Sequence, residues 1–462
     1  MTSGLSRITG IVFSFLLTCF SHMGWSQCWR VISCNLNHTV AIKDDGTLWA
    51  WGSNAYGQLG TGSNNNEWHP MQVGTDNDWQ FISTSCMANH SFAIKTDGTL
   101  WGWGLNDDGQ LGNGTTVHGN LPVQIGEDSW LAVSCGISHT CAIQNNGTLW
   151  CWGSNDYGQL GDGTTIDHLT PNQTDTMTHW AKISCGGYYN MATTNLEKLW
   201  SWGKNDKGQL GNSTTTQSNT PGNIATTLNW KVVSCGFDFT LGVATDNRLW
   251  AWGNNLQGQL GVGINTYTIV PLSNNISGMI DYESVSCGKN HAIGLKTNGE
   301  LRSWGSDAHY QLGNTEYYSD DYPMAIAEGQ YFEAISAGGY QGAAIDLDAG
   351  LFAWGENCCG QVGVNTIDPV AVPTYVDCLF VENVLESNQS TTSLSFFPNP
   401  ANDKITFNQT VGHFKIYAMD GKYIEVESNG QTVSLPQLES GLYTIVASTS
   451  NHQNHILRLV YL

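Results

Sequence analysis

The stretch WAWGSNAYGQLG, residues 49–60, decides how this chain is read: it holds two tryptophans, four other apolar residues and three glycines in twelve positions, with no charge. Such a segment is either a cluster built for a ligand or one unit of a repeat. The chain answers with copies. WGWGLNDDGQLG begins at 101, WCWGSNDYGQLG at 150, WSWGKNDKGQLG at 200 and WAWGNNLQGQLG at 250, and two weaker copies, RSWGSDAHYQLG and FAWGENCCGQVG, begin at 302 and 352. The second tryptophan of each copy (Trp51, Trp103, Trp152, Trp202, Trp252, Trp304 and Trp354) returns every 49 to 52 residues. A proline keeps the same step at 70, 122, 171, 221, 271, 323 and 373. So does a cysteine, at 34, 86, 135, 185, 235 and 287, with Ala337 in the seventh place. The count is seven.

Each unit reads as four short strands: WRVISC, HTVAI, TLWAWG and a strand around the proline, PMQVG. A tight turn joins the second and third. Gly46, Gly98, Gly147 and Gly299 suit its positive-φ position and Asn247 tolerates it, whereas Glu197 and Ala349 fit poorly and predict different turns in their units. Small four-stranded units cannot bury their faces alone, so they stack radially. The expected fold is all-β: a seven-bladed β-propeller of about 50-residue repeats over residues 28–380. The tryptophans then become packing between blades. Five start a first strand (Trp29, Trp79, Trp130, Trp180, Trp230), and five stand two residues before the main position. Apart from Trp25 in the N-terminal segment, only Trp68 lies outside the pattern.

Composition narrows the function classes. A net charge of -22 with no Lys/Arg run repels polyanions, which excludes a nucleic-acid partner. Arg7, the apolar run ITGIVFSFLLTCF and the small residues of SHMGWSQ read as a secretory signal peptide over residues 1–27. No later segment approaches the roughly 18 apolar residues of a transmembrane span. Export places the remaining twelve cysteines in an oxidising setting. After a polar linker, VENVLESNQSTTS at 381–393, the repeats stop. Short alternating strands separated by Asn, Gly and Pro turns then suggest a small β-sandwich over 394–462.

Two resemblances follow from these residues. The segment VSCGISHTCAIQNNGTLWCWGSNDYGQLGDG, 133–163, resembles the repeat of the regulator of chromosome condensation family, and the likeness extends from 28 to about 380. It implies a seven-bladed propeller. The family's founding activity, nucleotide exchange on a small nuclear GTPase, uses a wedge inserted in the propeller; here no blade exceeds its neighbours by more than three residues, so that activity is rejected. The strings FPNPANDKITF, IYAMDGK and LESGLYTI resemble the C-terminal sorting domain (type A) of type IX secretion cargo. The resemblance matches Pro398, Asn399 and Pro400 to the domain's opening motif, Gly421 and Lys422 to its hairpin, and Gly441 and Tyr443 to its late strand. It implies a didermic, Gram-negative bacterium that carries the chain to the cell surface or medium, with the outer-membrane secretion machinery as one partner.

Closing the ring brings the start of blade one to the end of blade seven, which predicts a Cys28–Cys378 disulfide. The three-residue turn in CAIQNNGTLWCW sets Cys141 opposite Cys151 and predicts a second. The repeat cysteines are expected as reduced, packed residues, and adjacent Cys358 and Cys359 are left open as a strained disulfide or ordinary loop residues. His38, His90, His139 and His291 recur four residues after the repeat cysteine, replaced by Tyr189, Phe239 and Gln341, which favours hydrogen bonding over metal. No catalytic motif, metal site or cofactor is expected. The loops that differ between blades carry the candidate binding residues: Trp68 in blade one, and Tyr310, Tyr317, Tyr318, Asp320 and Asp321 in blade six. The function expected is a secreted or surface-displayed, non-enzymatic propeller for an extracellular protein or glycan. An extracellular polysaccharide hydrolase or lyase using loop carboxylates, or a propeller-type enzyme inhibitor, is the alternative.

Overall fold

The computed structural model describes residues 29–377, apart from 85–86, 225–226, 264–265, 274–279 and 316–317, together with C-terminal strands between 396 and 461. The proposed signal peptide and linker, Cys28, Cys378, Tyr317, Pro398, Asn399, Pro400, Gly421 and Lys422 lie outside the described residues.

Blade one shows how a repeat becomes a sheet. Its strands Trp29–Cys34, His38–Lys43, Leu48–Gly52 and Glu67–Gln72 pair antiparallel in chain order. Six further sheets repeat that order, over 79–124, 130–173, 180–223, 230–273, 282–326 and 332–376. The first strands of successive blades touch all the way round, including blade seven with blade one, so they line the axis of a closed seven-bladed propeller. Among the described residues, the first and last blades each form their four strands from their own repeat.

The conserved spacing of GQLG explains the joints. Each main tryptophan donates its indole N–H to the glutamine carbonyl of the preceding blade: Trp103 to Gln58 at 2.8 Å, Trp152 to Gln110 at 2.9 Å, and Trp51 to Gln361 of blade seven at 3.0 Å. The glycine two residues after that glutamine leaves space for the ring, since a Cβ on Gly112 would stand 2.6 Å from Trp152 Nε1. These seven main tryptophans are fully buried. Their bonds and packing are the interlock that a four-stranded unit lacks on its own.

The turn between second and third strands corrects one expectation. Glu197 and Ala349 suit the turn poorly by residue type, yet both adopt its left-handed conformation, at φ 60° and 56°, beside Gly46 at 81°. The reason is tertiary. The carbonyl of that turn residue accepts the first amide of the next blade, Trp230 N to Glu197 O at 3.1 Å and Trp29 N to Ala349 O at 3.2 Å. The joint holds the turn against the Cβ penalty, about 1–2 kcal/mol.

The propeller forms one compact unit, Gln27–Val381. In the C-terminal part, Phe396–Phe397, Lys404–Tyr417, Tyr423–Ser434, Gly441–Thr449 and Asn454–Tyr461 are joined by antiparallel pairing into one five-stranded sheet. Gly441 and Tyr443 lie on its fourth strand in chain order. Among the described residues no helix is long and apolar enough to cross a membrane.

Candidate binding face

Two loops of each blade are stitched onto one face of the disc. The amide just after the third strand donates to a carbonyl between the first and second strands: Ser53 to Asn37 at 2.7 Å, Lys204 to Tyr188 at 2.9 Å, Glu356 to Tyr340 at 2.9 Å. The asparagine of the NxxGQLG frame then secures the longer loop. Asn106 accepts the Leu111 amide at 2.9 Å and donates to the carbonyls of Thr115 and Val117 at 2.9 and 3.1 Å. Gln110 caps the turn by accepting Asp108 N at 2.9 Å. Because buried frame residues satisfy the backbone, the residues between them are free to vary.

Those variable positions carry an aromatic ladder across blades three to five. Tyr157 lies 5.2 Å from Tyr188, and Tyr188 lies 6.5 Å from Phe237 at 70°. The Lys204 ammonium stands 5.3 and 5.8 Å from the two tyrosine rings, within cation–π range. All four side chains are half-buried. Burial pushes the phenol of Tyr188 up, and the neighbouring Tyr157 adds to it. Beside Phe237, burial also raises the Asp238 carboxyl, against the Asn254 amide that donates to it at 3.0 Å. A second cluster joins blades six and seven: the His309 ring lies 4.3 Å from that of Tyr340, tilted by 33°, and the Lys289 ammonium donates to the Tyr340 hydroxyl. Sequence reasoning missed both clusters. Their signal was present, as the changing residues inside the fixed frames CGxxH and NxxGQLG.

Of the expected binding residues that are described, Trp68, Tyr318, Asp320 and Asp321 lie at or beside the starts of outer strands, and Tyr310 lies in the turn after a third strand. Trp68 is 47% exposed on the outer strand of blade one. Its carbonyl accepts the Asn365 amide at 3.1 Å, and a Cβ on Gly360 would stand 2.5 Å from its Cα. That place is a repeat position, because Asn120, Leu169, Asn219, Ile269 and Asp321 meet Gly57, Gly109, Gly158, Gly208 and Gly258 in the same way. Tyr310 takes the glycine's part in blade six and keeps its left-handed turn, at φ 60°. Tyr318 is 76% exposed, and Asp320 accepts the Asn314 amide at 3.1 Å. Tyr310, Tyr318, Asp320 and Asp321 thus share blade six, while Trp68 stands beyond blade seven.

The histidines and cysteines belong to the joints. His38, His90 and His139 are buried, and their Nε2 atoms meet Ser91 Oγ at 2.8 Å, Thr140 Oγ1 at 3.1 Å and Asn190 Oδ1 at 2.9 Å of the following blade. Cys185, Cys235 and Cys287 each donate to a serine carbonyl of the preceding blade at 3.2 Å. Cys141 and Cys151 face each other in register, their sulfurs 2.11 Å apart. His139, Cys141 and Cys185 are the one group of three metal-type donors among the described residues. They do not suit a metal, because Cys141 is held in the disulfide and burial pushes the Cys185 thiol far up. Cys358 and Cys359 are thiols with sulfurs 3.5 Å apart.

Comparison with known proteins places this architecture. Residues 21–280 match the RCC1-like domain, and 282–311 match the regulator of chromosome condensation (RCC1) repeat. The chain belongs to the RCC1-like domain family. Residues 395–460 match the secretion system C-terminal sorting domain, which implies secretion or a cell-surface location. Among curated relatives, the mitochondrial RCC1 domain-containing protein RUG3 of Arabidopsis thaliana is 33% identical over 94 residues, 20% of this chain and 21% of the relative. The probable E3 ubiquitin-protein ligase HERC6 of Homo sapiens is 38% identical over 85 residues, 18% of this chain and 8% of the relative. The alignments therefore span about a fifth of these relatives or less. Among solved structures, human WBSCR16 superposes with a TM-score of 0.65 at 22% identity, covering 72% of this chain and 94% of that one. Yeast RCC1 (Prp20), solved bound to Kap60, gives 0.64 at 18% identity, covering 81% and 91%. At these identities the likeness concerns the RCC1-like fold alone.

Proposed function

We propose that this chain is an exported, non-enzymatic RCC1-like propeller of a Gram-negative cell surface, and that its loop face holds an extracellular protein partner. The observation that carries the reading is the half-exposed ladder Tyr157–Tyr188–Phe237 with Lys204, built at variable positions on a frame that needs none of them for its own hydrogen bonds. Rigid aromatic rings with a cation beside them are the usual anchors of protein interfaces. Trp68, Tyr310, Tyr317, Tyr318, Asp320 and Asp321 then form its rim, and a Cys28–Cys378 disulfide pins the ring outside the cell. The sorting-domain match supplies the route.

Two experiments test this. Deleting residues 394–462 is expected to trap the chain inside the outer membrane; unchanged protease accessibility on intact cells defeats the export half. Cross-linking of the surface-displayed chain is expected to give a defined adduct that Tyr188→Ala and Phe237→Ala abolish and Trp68→Ala weakens. An adduct indifferent to all three defeats the binding half.

A further inference from the structure

One blade breaks the frame that fixes the loop face. In blades two, four and seven the frame asparagine points its amide Nδ2 at two loop carbonyls: Asn106 at Thr115 and Val117, Asn205 at Thr214 and Thr216 (both 3.0 Å), and Asn357 at Thr366 and Asp368 (2.8 and 3.0 Å). In two of them it also donates to an asparagine oxygen, Asn113 at 3.3 Å and Asn212 at 3.1 Å. Blade six has Asp307 at this position. Its Oδ1 keeps the frame bond, accepting Leu312 N at 2.9 Å. Its Oδ2, however, is an oxygen where the other blades put an N–H, and it has no hydrogen-bond partner although the residue is 1% exposed.

The register of the repeat sets further oxygens toward that atom. Repeat register places the Tyr318 carbonyl where Val117 and Thr216 stand, and the Asn314 amide where Asn113 and Asn212 stand. Asn314 gives its N–H to Asp320 Oδ2 at 3.1 Å, which brings a second carboxylate to the cage. Burial pushes the Asp307 carboxyl up to about 6, and the charge of Asp320 adds to it. A buried carboxylate facing carbonyls is costly unless a cation or a proton stands between them.

We propose that blade six binds a calcium ion at Asp307, with Asp320, the Asn314 side-chain oxygen and the Tyr318 carbonyl as further ligands. The donor set is all oxygen and mixes carboxylate, amide and backbone, which suits a hard cation of flexible coordination rather than magnesium's strict octahedron or a thiophilic metal. The ion does in blade six what the amide hydrogens do in the others, tying the loop of Tyr318 and Asp320 to the frame. This inference stands apart from the partner reading, since its readout is calcium itself.

Calorimetric titration of the full chain with calcium chloride tests it. One ion is expected per chain, with a dissociation constant on the order of 10⁻⁴ M, typical of extracellular sites. Asp307→Asn installs the amide that other blades already use, so the variant folds, and it is expected to weaken calcium binding by at least about tenfold. Asp320→Asn is expected to weaken it as well, while Asp321→Asn, which sits against Gly258, retains it. Absence of calcium binding by the unaltered chain overturns the proposal in favour of a proton on Asp307. Equal losses in Asp307→Asn and Asp321→Asn overturn it in favour of diffuse acidic attraction.

Discussion

Gly363→Ala tests whether the first and last blades interlock like any other pair. An added Cβ at Gly363 would lie 2.6 Å from Trp51 Nε1, 3.0 Å from Cδ1 and 3.1 Å from Cε2. The ring cannot retreat: Trp51 is fully buried, bonded to the Gln361 carbonyl at 3.0 Å and packed 5.6 Å from Trp29. Two costs therefore add. Alanine at φ +82° carries a left-handed penalty of about 1 kcal/mol over glycine, and forcing a methyl into a closed site costs about 1–3 kcal/mol more. Gly74 supplies the reference, because it shares a positive φ of 65° and meets nothing within 4 Å, so Gly74→Ala bears only the first cost. Gly112→Ala, with Trp152 Nε1 at 2.6 Å, gives the value of an internal joint. Urea denaturation of the full chain, followed by tryptophan fluorescence, should rank Gly363→Ala with Gly112→Ala, about 1–3 kcal/mol below Gly74→Ala. If Gly363→Ala instead matches Gly74→Ala, the seventh blade does not close on the first and the reasoning is wrong.

Acid should unfold the propeller steeply. Burial lowers the imidazoles of His38 and His90 to about 3 and of His139 and His291 to about 4, from an ordinary 6.5. The unfolded chain then takes up protons that the folded one refuses, so stability is complete above about pH 6.5 and falls as pH drops toward 4. The slope for each histidine approaches about 1.4 kcal/mol per pH unit below about pH 6, where the unfolded imidazole is protonated, and stability measured between pH 7 and 5 checks its onset. His291→Gln, borrowing the residue of blade seven, should remove one histidine's share of the slope; an unchanged slope refutes the assignment. Glu197→Gly relieves a left-handed glutamate and should stabilise by about 0.5–1 kcal/mol, seen as a raised melting temperature; a lowered one shows that the side chain holds the turn. Cys141→Val with Cys151→Ala copies the Val40–Ala50 pair of blade one and should cost about 2–3 kcal/mol, in proportion to the short loop the bridge closes. No loss of stability in the double variant under oxidising conditions counts against the bridge.

The propeller was legible because its determinants are local and repeated. Trp103, Gln58 and Gly60 form one contact, and each recurs at a fixed step, so one joint in seven copies can be read without coordinates. The turns at Glu197 and Ala349 were misread because their conformation is decided by a carbonyl bonded to the next blade, which no local propensity reports. Trp68 shows the same limit from the other side. It broke the tryptophan pattern and so read as a loop extra, yet its backbone holds a register position against Gly360. The ladder was missed for a geometric reason: Tyr157, Tyr188 and Phe237 come from three different blades and two kinds of loop.

That division follows from how the frame is satisfied. Asn106 and Gln110 are fully buried and complete the loop's hydrogen bonds, so substitutions at Asp107 and Asp108 leave the fold's buried polar groups untouched. Seven such pairs of tolerant positions, held on one face by seven interlocked joints, give a surface whose chemistry can change without loss of the disc. Asp307 is informative because it changes the frame itself rather than a tolerant position. A buried carboxylate in place of an amide alters what the loop requires, which becomes a cation or a proton in place of the amide hydrogens.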